Sequence, residues 1–296
     1  MKTRLLLLSV VLLVAACAGP QKKDIRLTSE PSIERALDAL ASVPEGRKLA
    51  NFLYKRPVRF EYSNTSGLCY KFSLKTGNIF LPAEFRGSDT LLALTLGRAA
   101  YIYRLYAESG LEEIIAEEEE TAALFQARMG LEINLLNSDF AGKKFASGIK
   151  ADFCTYILDG SRYAAQGARA LALSSDADCQ RPLETLQNQR MWVEKARQAI
   201  NDETFFQLLY DHDQQKVRKG VMSQFEAMKN DANIRALPIS ETYRFQRTFY
   251  DKQSDIFLRF EKAYRETLQD DDAWRAANAG AVQRAREEFS ACNLPE

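Results

Sequence analysis

The stretch Ser88–Leu136 constrains the chain most. Its first half, Asp89-Thr-Leu-Leu-Ala-Leu-Thr-Leu-Gly-Arg-Ala-Ala-Tyr-Ile-Tyr-Arg-Leu-Tyr106, reads as a helix that is apolar on almost every side. Such a helix is buried, so other elements must surround it. Ser109-Gly110 ends it, and a second helix carries Glu117-Glu-Glu-Glu120 followed by Thr121-Ala-Ala-Leu-Phe-Gln-Ala127. A chain of 296 residues, 46% of them apolar, has material enough for the core this requires.

The segments before and after indicate what does the surrounding. Pro31 stands near a helix start, with Ile33, Ala36, Leu37 and Leu40 at helical spacing. Val43-Pro-Glu-Gly46 interrupts, and a second helix runs from Arg47 to Lys55. The period then becomes two. Val58, Phe60 and Tyr62 alternate with polar residues, as do Leu68, Tyr70, Phe72 and Leu74. Lys75-Thr-Gly-Asn78 is a turn, and Ile79-Phe-Leu81 a third strand closed by Pro82. A small antiparallel sheet packed on the long buried helix is the expectation.

Beyond Asn137 the pattern is helical to the end. Breaks are expected at Asp139–Gly148, Ser174–Pro182, Asn201-Asp202, Asp231–Pro238 and Gln269–Asp272. Met191, Val193, Ala196 and Ile200 form one apolar face, and Phe205, Phe206, Leu208 and Leu209 begin another. Tyr243, Phe245, Phe249, Ile256, Phe257, Phe260 and Tyr264 form an aromatic stripe that reads as core. No internal repeat or sustained heptad is evident. The fold class expected is α+β and mostly helical.

The N-terminus carries an address. Lys2 and Arg4 precede the apolar run Leu5–Ala16, which is shorter than the roughly 20 residues a spanning helix needs. A charged start, an apolar middle and a small-residue end make a secretory signal. Val14-Ala15-Ala16-Cys17 resembles the lipobox of bacterial lipoproteins. That resemblance implies lipidation of Cys17 and anchoring by acyl chains. Ala18, where an aspartate would retain the protein at the inner membrane, implies the outer membrane and its periplasmic face. The expected organisation is a signal peptide at 1–16, a tether at 17–30, an α+β half at 31–140 and a helical half at 141–296. Removal of 1–16 takes Lys2 and Arg4 from the 40 basic residues, leaving 38 against 40 acidic, a net of −2. No dense basic block suggests nucleic acid as a partner.

Four further cysteines, Cys69, Cys154, Cys179 and Cys292, allow three pairings in an oxidising envelope. Short separation favours Cys154 with Cys179. With no Cys-x-x-Cys and a single histidine, His212, a metal cluster is not expected.

The order helix, helix, strand, hairpin, long buried helix, acidic helix resembles zinc metallopeptidases of the gluzincin type. Leu92-Ala-Leu-Thr-Leu-Gly-Arg-Ala99 fits the frame around that family's His-Glu-x-x-His motif, except at its three functional positions. Leu94 replaces the first histidine, Thr95 the general-base glutamate and Arg98 the second histidine. The third ligand would be Glu119, with Ala122 three residues on, or Glu120, with Ala123. A catalytic zinc needs three protein ligands and an open water position. Leucine cannot ligate, and arginine is a permanent cation. Loss of metal, cofactor and zinc hydrolysis is therefore the expectation. Two readings of Arg98 stand open. In one it pairs with Glu119 or Glu120, because a buried guanidinium needs a partner. In the other it reaches outward, and Glu117–Glu120 is a solvated face.

Other chemistries have less to build on. His212 lies in the polar stretch Tyr210-Asp-His-Asp213 and reads as exposed and incidental. Glu112-Glu113 and Asp270-Asp-Asp272 suit turns or surface. The functional expectation is a non-catalytic, lipid-anchored protein that binds another envelope component. The rivals are an envelope hydrolase with a different site and a purely structural helical lipoprotein.

Overall fold

A computed structural model describes residues 26–63, 71–73, 77–110, 115–160, 185–197, 202–219 and 222–290. The expected signal peptide and most of the expected tether, Glu112-Glu113, and four of the five cysteines, Cys17 among them, lie outside these residues. So does the break expected at Ser174–Pro182.

The fold is mostly helical α+β. Helices α1 (Pro31–Ser42) and α2 (Pro44–Lys55) lead into strands β1 (Arg59–Tyr62), β2 (Lys71–Ser73) and β3 (Asn78–Leu81). Helices α3 (Asp89–Ser109), α4 (Ala116–Glu132) and α5 (Ser147–Asp159) follow, with 3-10 turns at Ala83–Gly87, Asn137–Phe140 and Lys144–Ala146. Then come α6 (Leu186–Arg197), α7 (Asp202–Lys219), α8 (Gln224–Arg235), α9 (Ile239–Ala277) and α10 (Ala279–Glu288). Among the described residues no helix is long and apolar enough to cross a membrane.

Helix α3 is the axis of the molecule. Ser88 caps it by accepting a hydrogen bond from the Leu91 amide, and Gly110 ends it at φ +80°. Leu91, Leu92, Leu96, Ala99 and Ala100 on it are completely buried. Helices α1 and α4 pack closely against it, with α2, β3 and α9 adding further contacts. Gly97 permits this closeness, because a β-carbon there would meet Leu40 of α1 at 3.2 Å and Phe125 of α4 at 3.5 Å. One continuous apolar cluster runs from Leu27 to Phe289 and includes residues of both sequence halves.

The sheet is mixed rather than antiparallel. Its order is β1-β3-β2: β3 pairs parallel with β1 (Phe60 opposite Ile79) and antiparallel with β2 (Phe72 opposite Ile79). Alternation marks a strand but does not state its direction, and β3 inserts between the two strands that precede it. Phe60, Ile79 and Leu81 turn inward with no exposure, as the period of two requires.

Several boundaries differ from expectation. The second helix begins at Pro44, not Arg47, because proline at the first helical position loses no hydrogen bond there. Asp231 continues helix α8 and pairs with Arg235 one turn on, so only residues 236–238 interrupt it. Gln269–Asp272 is no break. It lies inside the 39-residue helix α9, where Asp271 is completely buried against other helices. On α6, Val193 is buried but Met191 is 48% exposed; the aromatic stripe is core at Ile256, Phe257 and Phe260 but open at Phe245.

Candidate functional site

The positions that would hold a metal in a gluzincin come together between α3, α4 and α5. Leu94 and Arg98 are one turn apart on α3, and Leu94 is buried. It lines a crevice too narrow to hold a water molecule, with Ala123, Gln126, Ile149, Asp152 and Phe153, among others. Arg98 lies beside it and bonds two of its lining residues, Gln126 and Asp152. Its guanidinium donates to Glu119 at 3.2 Å, to Asp152 at 3.1 Å and to the Gln126 side-chain oxygen at 3.3 Å. The three charged side chains are only 14%, 20% and 8% exposed. Glu119 is thus a partner of Arg98, and the outward-reaching alternative is excluded.

Gln126 locks the arrangement. While its oxygen accepts from Arg98, its nitrogen donates to the Leu94 carbonyl at 3.1 Å. The Thr95 hydroxyl is turned into its own helix, donating to the Leu91 carbonyl at 2.9 Å. It offers no carboxylate to the space between the helices. Among the described residues no group of three or more His, Cys, Asp or Glu side chains is placed to hold a metal.

Glu120 does not join Glu119. It points to α9, where it accepts the Tyr264 hydroxyl at 2.8 Å. Burial raises its carboxyl to about 7; the Tyr264 hydrogen bond works against this, and the nearby charge of Glu117 adds to it. Glu117 itself accepts the Leu186 amide at 2.9 Å and so caps the start of α6. Glu118 is 2% exposed. The acidic run is therefore no solvated face. It fans out to three neighbours, because α4 is enclosed on most sides.

Two residues of the site escaped the sequence reading. Asp152 sits among Ile149, Phe153 and Tyr156 on an apolar helix face, and Gln126 sits between Ala123 and Ala127. The available signal was the same for both as for Arg98: a polar residue at a core position. A second buried cluster also went unforeseen. Asp271 accepts from Arg128 at 2.8 Å and from the Tyr156 hydroxyl at 2.8 Å, while Arg128 lies over the Trp274 ring. Burial and the Asp271 carboxylate both push the Tyr156 hydroxyl above its ordinary range.

His212 is 2% exposed, against the expectation of an exposed side chain. It lies on the inner face of α7, edge-on to the Phe249 ring at 5.3 Å, with Nδ1 3.7 Å from Asp213. The flanking aspartates made the stretch look polar, but only one side of it faces water. Cys154 is buried in α5; Cys179, its expected partner, lies outside the described residues.

Comparison with protein-family models, with curated proteins and with solved structures finds no match to this chain.

Proposed function

We propose that the chain is a non-catalytic, lipid-anchored protein of the bacterial envelope. Its first half would be a metallopeptidase-like core whose zinc site has been replaced by an ion-pair bridge. The observation carrying this reading is Arg98, which joins Glu119 on α4 to Asp152 on α5 from the position where a second histidine would stand. A zinc at the family's ligand positions would tie α3 to α4; the guanidinium ties both of these and α5 as well. The guanidinium ties them through three hydrogen bonds and leaves no open position for water. The role that remains is binding or scaffolding of another envelope component, with Cys17 supplying the anchor.

The test is peptidase activity of the full-length protein on a mixed peptide library with zinc added. No cleavage above a heat-denatured control is expected. Cleavage that disappears in Glu119→Gln would overturn the reading in favour of a hydrolase.

A further inference from the structure

Charge is divided along the chain. Residues 18–62 carry nine basic and six acidic side chains, a net of +3, whereas residues 63–296 carry 29 and 34, a net of −5. The positive part also holds the point from which the chain runs back to Cys17. The Phe60 amide of β1 donates to the Leu27 carbonyl at 2.7 Å, and the Thr28 hydroxyl donates to the Phe60 carbonyl at 2.8 Å. Leu27 and Thr28 are both buried, so the expected tether is already clipped to β1 at its end. Nine residues, 18–26, join that clip to Cys17, a reach of about 30 Å when extended.

Unmatched cations stand beside the clip. Four residue steps, at most about 14 Å, separate Arg56 at the end of α2 from Phe60. On the exposed side of α2, Arg47, Asn51, Tyr54 and Lys55 fall at helical spacing on one face. Tyr54 is 50% exposed. Arg47 bonds the Ala41 and Ser42 carbonyls, and Arg56 the Ala107 carbonyl. Carbonyls are dipoles without net charge, so both guanidiniums keep their full positive charge. Lys55 has no carboxylate partner among the described residues.

The acids of these elements are matched. Glu45 pairs with Lys48, Glu61 with Arg59, and Glu108, next to Ala107, with Arg104. The exposed Glu34 and Asp38 of α1 are already counted in the net of +3. Arg47, Lys55 and Arg56 therefore leave this side positive around a half-exposed tyrosine. Lysine and arginine are drawn to an anionic lipid surface, and a tyrosine ring suits the headgroup level. The same surface repels the acidic remainder of the chain, so the field turns the body as well as attracting it.

We propose that the outer face of α2, with Arg47, Tyr54, Lys55 and Arg56, lies on anionic lipid headgroups and orients the anchored body. This rests on the anchored-lipoprotein reading for the short leash, and the experiment separates the two. The full-length lipidated chain is prepared as parent and as Tyr54→Trp, each also with Cys17→Ala. All are mixed with vesicles of phosphatidylethanolamine containing phosphatidylglycerol, or of phosphatidylcholine alone, with a spin-labelled headgroup as quencher. The parent, with Trp192 and Trp274, gives the background. Flotation with the vesicles reports the anchor independently.

The lipidated chain is expected to float with both vesicles at any salt concentration. On anionic vesicles Tyr54→Trp should be quenched at least about twofold more than the parent. That excess should vanish on phosphatidylcholine, and in about 1 M salt, where charges are screened beyond roughly 3 Å. Adding Lys55→Glu should remove more than half of it and leave flotation unchanged. Flotation with no quenching above the parent on anionic vesicles overturns the docking face and spares the anchor. Quenching equal on the two vesicles, or surviving the salt, also overturns the face, because tethering alone then explains the contact. Equal flotation of the Cys17→Ala form overturns the anchor, and salt-sensitive quenching of that form on anionic vesicles then upholds the face by itself.

Discussion

Arg98 holds two carboxylates together in a space with little water. Without its guanidinium, Glu119 and Asp152 share that space as like charges, and the cost of burying them is no longer offset. Arg98→Met is therefore expected to lower stability by about 2–4 kcal/mol, below the usual cost of breaking a buried pair because Arg98 and Glu119 keep some exposure, 14% and 20%. Urea unfolding at pH 7 measures it, and a change under 0.5 kcal/mol would contradict the account. Arg98→Lys should recover only part of the loss, since an ammonium cannot spread two arms to Glu119 and Asp152. This pair could be read from the sequence because a cation set among apolar neighbours on a buried helix must find an acid. Asp152 could not be chosen as the second acid. Nothing local brings residue 152 to residue 98; the packing of α5 on α4 does.

At the scale of elements, the junction of α4 with α9 carries a pH dependence. Glu120 is partly buried, has Tyr264 as its hydrogen-bond donor, and lies one turn from Glu117. Nearby, Glu261 on α9 is held by Arg190 of α6 and by Arg265. A folded carboxyl raised to about 7 binds a proton that the unfolded chain has released near 4.5. The stability it contributes is complete below the unfolded value and is lost as pH rises through 7. After discounting for solvent, the loss is about 1–2 kcal/mol between pH 5 and pH 8. Glu120→Gln keeps an acceptor for Tyr264 and should remove most of that slope. Thermal unfolding at a series of pH values checks it, and an unchanged slope in the variant would contradict it. The elements themselves were largely legible, since α1, α3, α4 and the aromatic part of α9 announce themselves by period. What tertiary contact decides was not. The direction of β1 against β3 depends on how the chain crosses between them. Asp270-Asp-Asp272 has turn chemistry locally, yet Asp271 is held inside a helix by Arg128 and Tyr156.

At the scale of the whole molecule, one core joins the sheet, the axial helix α3 and the helices of the second half. The Arg98 bridge lies within it, where α3, α4 and α5 meet. The central claim is that Arg98 holds the place of the ion. Zinc content per chain of the full-length protein, purified without chelator and measured by elemental analysis, tests it most directly. The account predicts far less than one zinc per chain, and no change on Glu119→Gln. One zinc per chain that is lost in Glu119→Gln would contradict it.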